Sequence, residues 1–147
     1  MMKLKAKQFP KSIIDKHSVL RKDTNSKISR EWNPDITAKG KKEVIESIKK
    51  LLKGSVIYFR KALMPVAWPG SGVAYLIPKK VFWGGACPYI TGDIVYFSKE
   101  KGSAKILRTT ETNHIVPDLI VQTVSFAEFR SEFTKMAKSV IPGKSTL

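Results

Sequence analysis

The chain has 147 residues, 42% of them hydrophobic and 10% aromatic, and carries 27 Lys and Arg against 12 Asp and Glu, a formal charge of +15. The length suits one domain, and the apolar fraction excludes a chain disordered throughout. The charge says nothing about fold, but it favours a polyanionic partner: nucleic acid, an anionic membrane surface or an acidic protein.

A single cysteine, Cys87, excludes an intrachain disulfide, and the Lys-punctuated start from Met1 to Pro10 lacks the apolar centre of a secretory signal. A reducing, cytoplasmic setting is expected. No apolar run approaches the roughly 20 residues of a membrane-spanning helix, so no membrane span is expected.

The first 40 residues show no sustained periodicity. Scattered Lys stand among Pro10, Asn25, Ser26, Asn33 and Pro34, the composition of a basic N-terminal arm over 1–40. Phe9, Ile13, Ile14, Val19, Leu20 and Trp32 are the residues that would anchor such an arm on the domain, taken as 41–147, or on a neighbouring subunit. Residues 1–55 hold 15 Lys and Arg against 6 Asp and Glu, so this part, little more than a third of the chain, is the more basic.

Val44, Ile45, Ile48, Leu51 and Leu52 then fall at helical spacing and predict a helix over about 41–53, stopped by Gly54. Asp35 or Thr37 would cap an earlier start, with Gly40 weakening the first turn. From Ser55 the pattern changes to short runs rich in β-branched and aromatic residues, at 56–60, 73–77, 81–83, 93–98, 104–110 and 115–124. Turn chemistry at Pro69-Gly70-Ser71-Gly72, Gly84-Gly85, Thr91-Gly92-Asp93 and Lys101-Gly102-Ser103 separates them, predicting five or six antiparallel strands. Val56 to Phe59 and Ile94 to Phe97 are apolar on both faces and belong at the sheet centre; Ala104 to Thr110 alternates and belongs half exposed. Pro117 places the last strand at an edge.

The final helix, about 125–140, opens on Ser125-Phe126-Ala127-Glu128, a capping box. Phe126, Phe129, Phe133, Met136, Ala137 and Val140 form its apolar stripe, which must be buried on the sheet. The expected fold is α+β, an antiparallel five- to six-stranded twisted sheet or small partly open barrel with both helices packed on it. In a two-layer arrangement one sheet face stays free of helices, leaving some aromatics exposed.

The most informative feature is an absence. Between Glu46 and Asp93 no residue is acidic, while Lys49, Lys50, Lys53, Arg60, Lys61, Lys79 and Lys80 are basic, and residues 58–97 hold 9 of the chain's 14 aromatics. Cations neutralise phosphates and flat rings stack on bases, so this mixture points to nucleic acid. Those seven cations are the candidate phosphate contacts. Trp68, Trp83 and Tyr89, in or beside Pro/Gly-rich loops, are the candidate base contacts.

Catalytic chemistry has less to build on. Two His, 97 positions apart, and one Cys do not form a metal-ligand pattern, and no metal or cofactor is expected. Cys87 would act as a nucleophile only if the fold brought His114 or His17 to it. Gly92 to Phe97 followed by His114 resembles, over about 20 residues, the strand-then-His segment of NlpC/P60-type papain-like peptidases. That family's Cys opens a helix well upstream, whereas Cys87 stands beside Pro88, five residues before Gly92, so the nucleophile is missing. A metal-independent ribonuclease would pair His114 with Lys105, Arg108 or Glu111. The Gly-Lys-Ser at 143–145 lacks the earlier glycine of a phosphate loop, Lys138 standing in its place. Three functions are therefore carried forward: a non-enzymatic nucleic-acid-binding protein, a structural assembly subunit such as a virion component whose arm docks on neighbours or a packaged genome, and a ribonuclease using His114.

Overall fold

The computed structural model describes residues 3–59, 72–98 and 103–140, the side chains at 72, 97–113 and 135–140 excepted. In chain order the elements are β1 (Lys5–Gln8), α1 (Lys11–His17), β2 (Ser18–Lys22), β3 (Ile28–Trp32), α2 (Ala38–Leu52), β4 (Ser55–Phe59), β5 (Gly72–Gly84), β6 (Cys87–Ser98), β7 (Ser103–His114), β8 (Ile120–Ser125) and α3 (Phe126–Val140). Six strands form one antiparallel sheet in the order β1-β8-β4-β5-β6-β7, and β2 pairs with β3 in a separate hairpin. The sheet is open, with β1 and β7 at its edges.

Strand β4 reads Val-Ile-Tyr-Phe after its first Ser because both of its faces are covered. Ile57 and Phe59 pack in one cluster with Val44, Ile48 and Leu52 of α2, together with Leu76 and Ile94 from the neighbouring strands. Val56 packs in a second cluster with Tyr75, Ile77, Val95 and Val124 against Phe129 and Phe133 of α3, with Tyr58 and Phe126 at its margin. The helices therefore lie on opposite faces, giving three layers. Two apolar helix stripes and two apolar strand faces are better buried as separate interfaces than on one crowded face.

Helix α2 starts three residues before the predicted point because Thr37 caps it, its Oγ1 accepting from the Gly40 N–H at 3.1 Å. Gly40 is needed for closeness: a Cβ there would lie 2.8 Å from Ile36 Cγ1 and 3.1 Å from the His17 ring. Gly54, at φ +70, ends the helix in the left-handed conformation. At α3 one half of the capping box forms, Glu128 N–H donating to Ser125 Oγ at 3.1 Å, while the Glu128 carboxylate instead accepts from the Lys3 N–H at 3.1 Å. The expected stripe residues Met136, Ala137 and Val140 have side chains outside the described set.

Residues 1–40 carry β1, α1, β2, β3 and the first turn of α2. Strand β1 pairs with β8, Phe9 and Ile14 are buried, and Trp32 wedges between the rings of Phe9 and Trp83 at 5.8 and 6.0 Å. The Trp32 indole N–H donates to the Ile115 carbonyl at 2.6 Å. Ile13 and Val19 are half-buried, whereas Leu20 is exposed.

Three strand expectations change. The runs 73–77 and 81–83 are one strand, β5, and the predicted turn at Thr91-Gly92-Asp93 lies inside β6. Both follow from a β-bulge: Pro78 pairs with Gly92 and Lys80 with Thr91, leaving Lys79 as the extra residue. Gly92 marks the close approach there, since a Cβ would come within 2.0 Å of the Ile77 carbonyl oxygen. The last strand is not an edge, because β8 begins three residues beyond Pro117 and lies between β1 and β4. The turns assigned to Pro69-Gly70-Ser71 and Lys101-Gly102 lie outside the described residues.

Candidate nucleic-acid interface

The bulge decides which side chains meet which face. Before it, Ala74 and Leu76 face α2 and Tyr75 and Ile77 face α3; after it, Val81 and Trp83 face the α2 side. One inserted residue has reversed the parity of the strand. Lys79 and Lys80 are consequently exposed together at the bend, where a regular strand would send them to opposite faces.

That bend meets the end of α2. A groove of about 500 Å³ runs between Lys49, Leu52, Lys53, Gly54 and Ser55 on one side and Ile77 to Val81 on the other, with Phe126 at its end. Four ammonium groups, from Lys49, Lys53, Lys79 and Lys80, thus border an apolar floor of Leu52, Ile77, Val81 and Phe126, and none of its described lining residues is acidic. Glu46 approaches Lys49 at 3.8 Å and Asp93 approaches Lys79 at 3.6 Å, while Lys53 and Lys80 have no ion-pair partner among the described residues. A fifth cation, which no local sequence signal marks, stands beside them: Lys7 Nζ donates to the Leu51 carbonyl at 3.2 Å and to Oγ of Ser55, a groove residue, at 2.6 Å. It offsets the partial negative charge at the α2 C-terminus, and α3 opens beside the groove with its positive end.

Beyond Lys80 the same surface becomes aromatic. Phe82 and Tyr89 are direct cross-strand partners, their rings 5.7 Å apart and 22° from parallel. Tyr89 is in turn paired with His114 of β7, with rings 6.4 Å apart at 68°. Strand β6 keeps its alternation between Val95 and Tyr89, so this row lies on the α3 side of the sheet, beyond the α3 core cluster. Phe82 and Tyr89 are half-buried and His114 is exposed. The Lys80 ammonium stands 5.6 Å from the Phe82 ring centre, joining groove and aromatic row.

Of the candidate contacts, Lys49, Lys53, Lys79 and Lys80 come together at the groove, and Tyr89 belongs to the row. Lys50 is exposed on α2 but does not line the groove. Trp83, also half-buried, lies on the α2 side against Trp32, with its indole N–H donating to the Gly85 carbonyl at 3.0 Å and the Lys41 ammonium 5.8 Å from its ring. Arg60, Lys61 and Trp68 lie outside the described residues. Phe82 was not among the candidates because the parity reversal in β5 cannot be read from one strand alone.

A second cleft of about 420 Å³ brings Cys87 and His114 together with Arg21, Arg30, Glu31 and Trp32. Its cations are matched by carboxylates: Arg21 with Glu31 at 2.9 Å, and Arg30 with Asp15 and Asp118 at 3.6 and 3.7 Å. Lys105, Arg108 and Glu111, proposed partners of His114, have side chains outside the described set. The other histidine, His17, is buried and lies 3.1 Å from Glu43, whose carboxylate also accepts from Lys16. The Lys16 hydrogen bond, and then that of His17, holds the Glu43 carboxyl below its usual range.

Among the described residues no group of three His, Cys, Asp or Glu is placed to hold a metal ion, and no helix is long and apolar enough to cross a membrane. No protein-family model, curated protein or solved structure matches the chain.

Proposed function

We propose that this is a non-enzymatic nucleic-acid-binding protein that holds the phosphate backbone in the lysine groove. The observation that carries the reading is the meeting of Lys49 and Lys53 with Lys79 and Lys80, about 30 positions later in the chain, around one groove whose described lining contains no carboxylate. Backbone phosphates are recognised by such clustered cations, and their release of counterions makes binding salt-dependent. The test is a fluorescence-anisotropy titration of DNA and RNA oligonucleotides at several salt concentrations. The expected log–log slope corresponds to release of at least two counterions, and Lys53→Ala with Lys80→Ala is expected to lower it by about 0.7 to 0.9 per lysine that contacts a phosphate. A wild-type slope below two overturns the reading.

One observation favours a role in assembly as a second reading. Leu20 and Ile28 are 64% and 67% exposed, and the hairpin register puts both on one face of β2–β3. Two large aliphatic side chains in water on one face of a hairpin suit contact with a neighbouring subunit. Light scattering of the wild type and of Leu20→Lys with Ile28→Lys is expected to show loss of oligomer in the variant, and a monomeric wild type at high concentration rejects it.

A further inference from the structure

We infer that Phe82 and Tyr89, with His114 edge-on beside them, form a base-stacking platform, so that the nucleic acid this surface takes is single-stranded. The inference rests on the groove as the phosphate track and goes beyond it by naming the strand state of the ligand. The rings of Phe82 and Tyr89, on adjacent strands, lie on one sheet face with centres 5.7 Å apart and planes 22° from parallel, and the His114 ring of the next strand stands edge-on to Tyr89 at 6.4 Å and 68°. Those spacings are well beyond the about 3.4 Å rise between stacked bases of one strand. Bases seated on successive rings are therefore unstacked from each other, which a duplex does not allow and a splayed single strand does.

Charge places the ligand. Lys80 belongs to both parts of the surface, lining the groove and standing over Phe82, so a phosphate held between Lys79 and Lys80 puts its own base at the start of the row. The bulge makes the two parts continuous. Without Lys79 as an extra residue, Phe82 would turn toward α2 and Trp83 would take the outer face. The larger ring, Trp83, is also half-buried but packs on the α2 side against Trp32, while Phe82 and Tyr89 lie half-buried on the other face, outside the α3 cluster. Sheet-borne rings next to phosphate-binding cations are an arrangement that stacks two or three bases of a single strand.

The experiment compares a short single-stranded oligonucleotide with its own duplex, by anisotropy at about 50 and 200 mM salt. Wild-type protein is expected to bind the single strand at least tenfold more tightly. Phe82→Leu and Tyr89→Leu, which keep an apolar side chain of similar bulk, are each expected to weaken single-strand binding about fivefold or more while leaving the salt slope and the duplex affinity unchanged. Equal wild-type affinity for both forms, or wild-type single-strand affinity in both ring variants, overturns the platform and leaves the groove standing. A wild-type salt slope below two counterions removes groove and platform together. The wild-type comparison needs no substitution, so it decides the matter even if a ring variant melts early.

Discussion

Gly92 shows how much of this surface depends on one missing Cβ. At that position a Cβ would meet the Ile77 carbonyl oxygen at 2.0 Å and Leu76 Cδ1 at 3.0 Å, and the first of these is backbone, which cannot rotate aside. Gly92→Ala is therefore expected to destabilise the protein by about 1 to 3 kcal/mol or more, the range for overpacking a tight site. Urea denaturation would read this as a lower midpoint. Because the bulge aims Lys79, Lys80 and Phe82, the same variant is expected to lose nucleic-acid affinity at temperatures where it remains folded. An unchanged midpoint would mean that the two strands separate there at no cost.

At the scale of elements, α1 is held to α2 by polar as well as apolar contacts. His17 lies against Gly40, and Glu43 accepts from Lys16 and lies 3.1 Å from His17 Nε2. A carboxyl whose folded pKa is depressed contributes stability above its unfolded value, here near 4.5, and loses it as the pH falls through the lower folded value. Wild-type protein is thus expected to be more stable than Glu43→Gln at pH 7, with the difference closing as the pH falls below 4.5 and through the lower folded value. Denaturant titrations of both proteins across that range measure it, and a constant difference would show that the carboxylate charge plays no part in docking α1. The elements themselves differ in how readily they were legible. Helices α2 and α3 announce themselves because each must present an unbroken apolar stripe, seen in Val44, Ile48 and Leu52 and in Phe129 and Phe133. Strands β1, β2 and β3 do not. Their anchors are single residues, Phe9 before α1 and Trp32 at the end of β3, and one buried side chain beside strand residues that are mostly exposed or half-buried, the apolar Leu20 and Ile28 among the exposed, leaves no period to detect.

Across the whole molecule, a charge of +15 will attract any polyanion, so the groove has to be distinguished from bulk attraction. Lys11 on α1 and Lys27 before β3 are exposed and outside the groove. Replacing both by Ala changes net charge by as much as replacing Lys53 and Lys80. If the groove is the contact surface, the groove pair is expected to reduce affinity and salt slope clearly more than the remote pair. Equal losses from both pairs would assign the binding to diffuse charge and end the groove proposal. Here too the site was legible only in part. The acid-free stretch from Glu46 to Asp93 contained four of the groove cations, but gave no sign that Trp83 lies on the α2 side and Phe82 on the face of the groove, nor of Lys7.

The sequence by itself determined the α+β class, the two long helices, the central strands and the basic, aromatic character of the middle of the chain. These are properties of composition and local period, and burial enforces them wherever the segment lies. Tertiary structure alone decided that the helices cover opposite faces, that β8 is enclosed by β1, and that a bulge puts Phe82 on the α3 side and Trp83 on the α2 side. Each of those is a relation between strands distant in sequence. Cross-strand register and the close approach at Gly92 fix them, and neither leaves a period in the residues of one strand.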